Sequence, residues 1–566
     1  MAITRRTLLQ RAAVIGFVPA SQYLVACGDD DSRPDDGAID AGPDADIGAD
    51  ADTPDTPDLP DLPEYEYDGP LGPEDLFQHG VASGDPLADA VIIWTHVSPP
   101  DGAQTEVWWE LALDPGFAQR VQVGTFQTDA DVDFTVKHDV TGLAAGTTYY
   151  YRFMALGRTS PVGRTRTAPE AGVTHLRFAM MSCSSFAHGY FHAYRRIAER
   201  TDIDCCLHLG DYIYEYGDGQ YGRVRTYDPP HEIVTLEDYR RRYRHYRKDL
   251  DLQEAHRQHP FICVWDDHET ADDSWNGGAE NHTPGAEGNW ADRKAAGIRA
   301  YNEWLPIRSD IDDEGRIFRT FRYGGLVDLI MLDTRLWGRD EPGTQFTRDV
   351  HEDPERSLLG QDQEDWLAEQ LTTSTAQWKL IGQQVMMAHW RGAGAAGQPG
   401  PIFNADQWDG YSPTRDRLFE VIRTNAIDNV VVLTGDIHTS WANDLATDPY
   451  DAEVYDKETG QGAIAVEFVT PGITSPGLGS LGELVGPGLR NLNPHVKFVD
   501  LENRGYIVLD IDAERCQAEW YHIENVEVRE TTEFFVAAFA AFDGDNHLSE
   551  VAEPSQARTP APDPAP

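Results

Sequence analysis

Apolar residues follow two different patterns along this chain. Between positions 77 and 167 they form short runs broken by turn residues: Ala90-Val91-Ile92-Ile93-Trp94, Val107-Trp108-Trp109-Glu110-Leu111 and Thr147-Thr148-Tyr149-Tyr150-Tyr151-Arg152-Phe153. Runs of this length and spacing predict a small antiparallel β sandwich, placed at residues 71–168. After Pro169 longer apolar strands alternate with helical stretches, which predicts an α/β body over residues 174–552. Helices are expected at 193–200, 236–246, 289–305 and 361–371; the last opens after Gly360, with Trp366, Leu367 and Leu371 near helical spacing. The fold class is therefore α/β with an all-β domain in front. No repeat of solenoid or propeller period is present.

The 566 residues are several times the common domain size of about 100–150 residues, which fits that division. The phrase from Gly142 to Gly146, which leads into the third β run, resembles the late-strand turn of fibronectin-like domains. A β-rich extension of the following domain is the other reading.

The two ends differ from the middle. Residues 1–27 carry a twin-arginine pattern at Arg5-Arg6, an apolar stretch at 12–20 and Leu24-Val25-Ala26-Cys27, which resembles a lipobox. The expected product is an exported lipoprotein, periplasmic or at the cell surface, anchored through a lipidated Cys27; an uncleaved or soluble secreted signal is the alternative. Residues 28–70 are rich in Asp, Pro, Ala and Gly with almost no aliphatic bulk, so they are expected to be a disordered acidic spacer. Residues 553–566 turn to Pro, Ala and Asp and are expected to fray. A formal net charge of −50 disfavours nucleic-acid binding, because phosphate contacts would be repelled. An anionic substrate must then be drawn by local cations.

Six cysteines are present, and setting Cys27 aside leaves Cys183, Cys205, Cys206, Cys263 and Cys516, an odd number for an oxidising compartment. Cys205, Cys206 and Cys263 sit in apolar runs and read as small buried hydrophobes. Cys183 ends a strand between two serines, where it reads as a ligand; a buried core thiol is the alternative.

Four apolar runs end in residues able to bind metal. Residues 176–181 lead to Ser182-Cys183-Ser184, 204–209 to Gly210-Asp211-Tyr212-Ile213-Tyr214-Glu215, 261–265 to Asp266-Asp267-His268-Glu269, and 430–433 to Thr434-Gly435-Asp436-Ile437-His438. Ligands of open α/β sheets collect outside the carboxyl ends of strands, so four such endings are expected to share one site. Asp211 can bridge two cations, and Tyr214, three residues on, is expected to return to its face of a helical turn. Gly210 and Gly435 permit sharp turns. Asp267, Asp436 and His438 complete a mixed oxygen and nitrogen set. Any one ending read alone is a turn or a helix cap; His208, inside its strand, reads as core packing.

The segments Gly210 to Glu215, Val264 to Glu269, Leu332-Asp333-Thr334-Arg335, Gln407-Trp408-Asp409-Gly410-Tyr411 and Leu433 to His438 resemble PhoD-type alkaline phosphatases. The stretch from His79 to Pro86 and Trp94-Thr95 look like that family's N-terminal β domain. The resemblance implies a two-sheet, calcineurin-like metallophosphoesterase core, a ferric ion held partly by Cys183 and Tyr214, calcium beside it, and Asp211, Asp267, Asp436 and His438 as further ligands. Asp267 stands where related metallophosphatases carry asparagine, and Asp272-Asp273 also departs from the family pattern, which leaves one calcium ligand unassigned.

The expected activity is that of a phosphomonoesterase or phosphodiesterase acting on phosphate esters by in-line attack of metal-bound hydroxide. Asp211 and His268 are the catalytic candidates, His268 assisting the leaving group or orienting the nucleophile; a histidine that only steadies a carboxylate is the alternative. A monomer is expected. A lipid-headgroup or nucleotide phosphodiesterase is the rival enzyme, and a non-catalytic surface binding protein is the rival of another class.

Overall fold

Four strands of the body, each flanked by a parallel partner, set the architecture. In the computed structural model, which describes residues 60–308, 315–344, 346–392, 400–479 and 481–566, three sheets are formed among the described residues. The largest has ten strands, in the order Leu548–Val551, Glu533–Phe542, Arg515–Ile523, Arg504–Asp512, His175–Met181, Cys205–His208, Pro260–Cys263, Val81–Gly84, Ala90–His96 and Thr135–Thr141. His175–Met181, Cys205–His208, Pro260–Cys263 and Val81–Gly84 run parallel. The second sheet has seven strands and a parallel centre of Val327–Met331, Trp378–Gln383, Val430–Thr434 and Ala465–Val469.

These central strands are buried on both faces, as their unbroken apolar runs require. One core joins the two sheets, with Phe178, Met180, Leu207 and Leu209 from the first and Leu329, Met331, Leu380, Val431, Leu433 and Phe468 from the second. Helices cover the outer faces. His192–Ala198 and Leu250–Gln258 flank the first sheet, and Gln361–Thr373 and Ser412–Thr424 pack over a separate core of the second. The four helices expected from periodicity fall at His192–Ala198, Leu236–Tyr246, Trp290–Trp304 and Gln361–Thr373. Leu236–Tyr246 opens with a full capping box between Thr235 and Asp238. Among the described residues no helix is long and apolar enough to cross a membrane.

The N-terminal β unit, expected as a small sandwich at 71–168 or as a β-rich extension of the following domain, has two packed layers, one of them continuous with the large sheet of the body. Its strands Val81–Gly84, Ala90–His96 and Thr135–Thr141 complete the ten-stranded sheet, Gly84 pairing with Phe261. Its other five strands, led by Thr105–Ala112 and Thr148–Ala155, form the third sheet and pack on the first through Val91, Ile93, Val107, Leu111, Val136 and Phe153. The physical reason is the exposed edge that Pro260–Cys263 would otherwise present. Every residue of Ala90–His96 is buried, where a strand with one solvent face would alternate. Trp94 donates to the Glu303 carbonyl at 2.8 Å and Arg319 pairs with the buried Asp85 at 2.7 Å across the same junction.

Both ends of the described chain are tied down. The twin-arginine signal, Cys27 and most of the expected spacer lie outside the described residues, but residues 62–65 dock: Arg120 bonds the Leu62 and Pro63 carbonyls, and the Tyr65 ring lies 6.3 Å from Trp108. The tail expected to fray instead runs as a strap along the amino ends of the parallel strands. Arg177 bonds the Gln556 carbonyl, Arg558 forms a double contact with Asp204, Arg164 reaches the Pro562 carbonyl, and Gln258 exchanges two bonds with Ala565. Proline and alanine give it no secondary structure of its own, so polar side chains of the body, Arg164, Arg177, Asp204 and Gln258, supply the partners that hold it. Arg558→Ala is expected to lower stability by about 1.5–3 kcal/mol, the usual value of hydrogen bonds to a charged group; an unchanged urea midpoint would show the strap to be passive.

Candidate metal centre

At the carboxyl end of His175–Met181, Cys183 turns into the left-handed region at φ 60°, and so do Asp211 at 55°, Asp436 at 65° and His438 at 61°. Non-glycine residues there are strained by of order 1–3 kcal/mol each and persist where surrounding structure fixes them. Gly210, at φ 104°, is fixed more tightly: a Cβ would lie 2.4 Å from that of Asp266. A Cβ on Gly435 would sit 3.0 Å from the Ser182 side chain. The strand exits therefore touch each other at backbone level.

The four endings meet in one buried cluster. Ligand atoms of Cys183, Asp211 and His438 lie within 4.8 Å of one another, as do those of Asp211, Asp267 and His268, of Asp266, Asp267 and Asp436, and of Asp267, Asp272 and Asp273. Asp211 and Asp267 link these groups into a continuous site. The Tyr214 hydroxyl is 3.0 Å from Asp211 Oδ2, 3.2 Å from His438 Nε2 and 2.6 Å from Ser475 Oγ. Tyr214 arrives there through a bend at 212–213, and the helical turn expected after Asp211 does not form. His438 Nδ1 donates to the Pro476 carbonyl at 3.3 Å, which leaves Nε2 facing Tyr214 and, at 3.9 Å, Asp211.

His268 is fully buried, and its Nδ1 lies 2.6 Å from Glu215 Oε2 while Nε2 faces Asp272 at 3.8 Å. Burial opposes the imidazolium, but the Glu215, Asp267 and Asp211 carboxylates outweigh it and raise the pKa well above the ordinary histidine value. Glu215 is itself fixed by the Asp272 amide and the Asn281 side chain. Glu269 accepts from the amides of Asp211, Tyr212 and Asp266, binding two strand exits together. Burial, then the Asp211 charge, pushes its pKa well above the carboxylate range. His208 lies in the core as expected, bonded to the Tyr194 hydroxyl. All five described cysteines are buried, and Cys205, Cys206, Cys263 and Cys516 are free thiols.

Several site residues had been overlooked. Arg335, with no exposure, donates to Asp266, Asp406 and Asp436 and lies 3.6 Å from Asp267. It follows Val327–Met331, a fifth strand exit, and the same rule would have found it. Ser475 follows Ala465–Val469, but its Thr-Pro-Gly-rich segment reads as an ordinary turn. Asp272 and Asp273 take the place beside Asp267 where one ligand was unassigned.

Six buried aspartates, at positions 211, 266, 267, 272, 273 and 436, belong to these linked groups, and the fully buried Arg335 contacts three of them, Asp266, Asp267 and Asp436. Uncompensated carboxylates cannot be packed this densely out of water, so the donor set fits cations and has the mixed S, N and O character of a metal centre.

A two-sheet body with such a cluster at its strand ends defines a phosphoric ester hydrolase. The chain belongs to the PhoD-like phosphatase family: the model of that family's phosphatase domain matches residues 178–520, and the model of its N-terminal domain matches residues 70–169. It is 37% identical over 464 residues to alkaline phosphatase D of Bacillus subtilis (strain 168), covering 78% of this chain and 77% of that protein. A solved structure of PhoD superposes with a TM-score of 0.77 at 34% identity, covering 87% of this chain and 94% of that one.

Gly210→Ala is expected to cost about 2 kcal/mol or more, from strain and overpacking combined, and to abolish turnover. Native turnover in a folded variant would show that the contact between Gly210 and Asp266 does not shape the centre.

Proposed function

We propose that this chain is an exported, lipid-anchored alkaline phosphatase that hydrolyses phosphate monoesters and diesters at a ferric and calcium centre. The observation that carries this reading is the meeting of four strand exits in one buried donor cluster. Cys183, Tyr214, Asp211 and His438 would hold the ferric ion, because thiolate and phenolate are anionic, strongly donating ligands suited to a trivalent cation. Asp267, Asp272 and Asp273, an all-oxygen group, would hold calcium, with Asp436 completing the set beside Arg335. Bound cations supply Lewis acidity toward phosphoryl oxygens and acidify a water.

The protein's own groups do the positioning. Glu215 anchors His268 through Nδ1, which leaves Nε2 free to hydrogen-bond a phosphoryl or leaving-group oxygen and give it a proton. Arg335 fixes Asp436 and Asp266, so both carboxylates keep their orientation as charge in the site changes. Tyr214 is held by Ser475, which also ties to the Cys183 carbonyl at 2.9 Å. Export by the twin-arginine route and anchoring through Cys27 are supported by the residues around Arg5-Arg6 and Leu24 to Cys27.

Cys183→Ala and Tyr214→Phe are expected to lose iron, measured by elemental analysis, together with hydrolysis of p-nitrophenyl phosphate and its bis ester; full iron content with full turnover rejects the assignment. His268→Asn should keep its metals and lose turnover by about 10²–10⁴-fold, the range for a positioned acid or base. Parallel loss of metal would reduce His268 to a structural support.

A further inference from the structure

A second group of buried polar side chains lies beyond the short segment that ends in Trp408–Tyr411. Asp406, at one side of that segment, belongs to the metal centre through Arg335; Asp409, three residues on, accepts from Arg415 at 2.9 Å and from the Trp390 amide at 2.8 Å. Around Asp409 stand three rings: His389 is 6.1 Å from Tyr450 and 6.5 Å from His495, and Tyr450 is 5.8 Å from His495. Asn493 joins them to the chain, accepting from the Tyr450 hydroxyl at 2.7 Å and from the Arg391 amide at 3.0 Å.

Buried atoms in this group have no hydrogen-bond partner among the described residues: His389 Nε2, Arg391 Nε and His495 Nδ1. Leaving such groups unsatisfied costs about 1–3 kcal/mol each. Their polarity follows from their other contacts. His389 Nδ1 lies 2.9 Å from an Arg415 nitrogen, which can only donate, and 3.3 Å from Asp409 Oδ1; the shorter contact makes Nδ1 an acceptor and puts the His389 proton on Nε2, a donor. His495 donates from Nε2 to the His389 carbonyl at 2.8 Å, so its Nδ1 is an acceptor. Burial and the neighbouring His389 hold His495 neutral, with a pKa near 3, and burial with Arg415 lowers that of His389. Arg391 Nε is a second donor, and that guanidinium has no carboxylate partner among the described residues, in a chain with 96 acidic residues. The charged groups facing the rings are Asp409, Arg415 and Arg391, an excess of one positive charge.

A ligand that satisfies this set must be anionic, accept from His389 and Arg391, and donate one proton to His495. We propose that His389, Arg391 and His495, backed by Tyr450 and Asn493, form a second site that binds a hydrogen phosphate group. Monohydrogen phosphate has the one donor and several acceptors required, whereas sulfate, of similar size, has no proton to give. Hydrogen phosphate is also the product of phosphate ester hydrolysis, so the site would retain product beside the centre that releases it. The donors themselves do not depend on the metal assignment.

Isothermal titration of the metal-loaded protein with inorganic phosphate, alone and in excess sulfate, tests this. Two equivalents of phosphate are expected for the native protein, one of them resistant to sulfate, and that one should weaken by about tenfold or more in Arg391→Gln and in His495→Asn, as loss of a charged or buried hydrogen bond implies. Both variants should still hydrolyse p-nitrophenyl phosphate. A single equivalent in the native protein, displacement of both by sulfate, or unchanged binding in a folded Arg391→Gln protein overturns the proposal. Loss of hydrolysis in the native protein would count against the phosphatase centre and leave the phosphate stoichiometry as an independent result.

Discussion

Crowding of like charge governs this molecule. Six aspartates are brought out of water in one cluster, with a single arginine in contact with three of them, and the neighbouring side chains answer that demand. Arg335 bonds three carboxylates, Glu269 ties down three backbone amides, and His268 is clamped by Glu215. Five non-glycine residues of the cluster, Cys183, Asp211, Asp273, Asp436 and His438, accept left-handed backbone. Strain of this kind is tolerable only where rigid strands enforce it, and two mixed sheets with parallel centres and a shared core provide that rigidity.

The large sheet also explains why the N-terminal β unit and the body are inseparable. Pro260–Cys263 carries the strand that ends in Asp267 and His268, and Val81–Gly84 covers its free edge. The β unit thus closes the sheet on which half of the centre is mounted. Asp85, immediately after that covering strand, is held by Arg319 from the second sheet, so the first two sheets are joined at that point.

Much of this was legible in the sequence because the relevant signals are local. Unbroken apolar runs marked the central strands, and the polar residues that follow them marked the site, including Cys183 and His438. Helical spacing and a flanking glycine marked Gln361–Thr373, which opens after Gly360. What escaped notice depends on partners distant in the chain. Nothing in residues 553–566 shows that Arg177, Arg164 and Gln258 will bind them, and the short run at 81–84 gives no sign that its neighbour is Pro260–Cys263. The helical turn assigned to Tyr214 failed because positive φ at Asp211 redirects the chain, and aspartate there has no sequence signature for that strain.

The placement of the ten-stranded sheet's partners fixes an order of assembly. His175–Met181, which delivers Cys183, pairs on one side with Arg504–Asp512; His175 and Asp510, bonded at 2.9 Å, are 335 positions apart. During synthesis the strand bearing the thiol must wait, with one edge open, until nearly the whole polypeptide has left the ribosome. Completion of the sheet around the thiol-bearing strand therefore depends on a pairing of very long sequence separation, the kind of contact that slows folding.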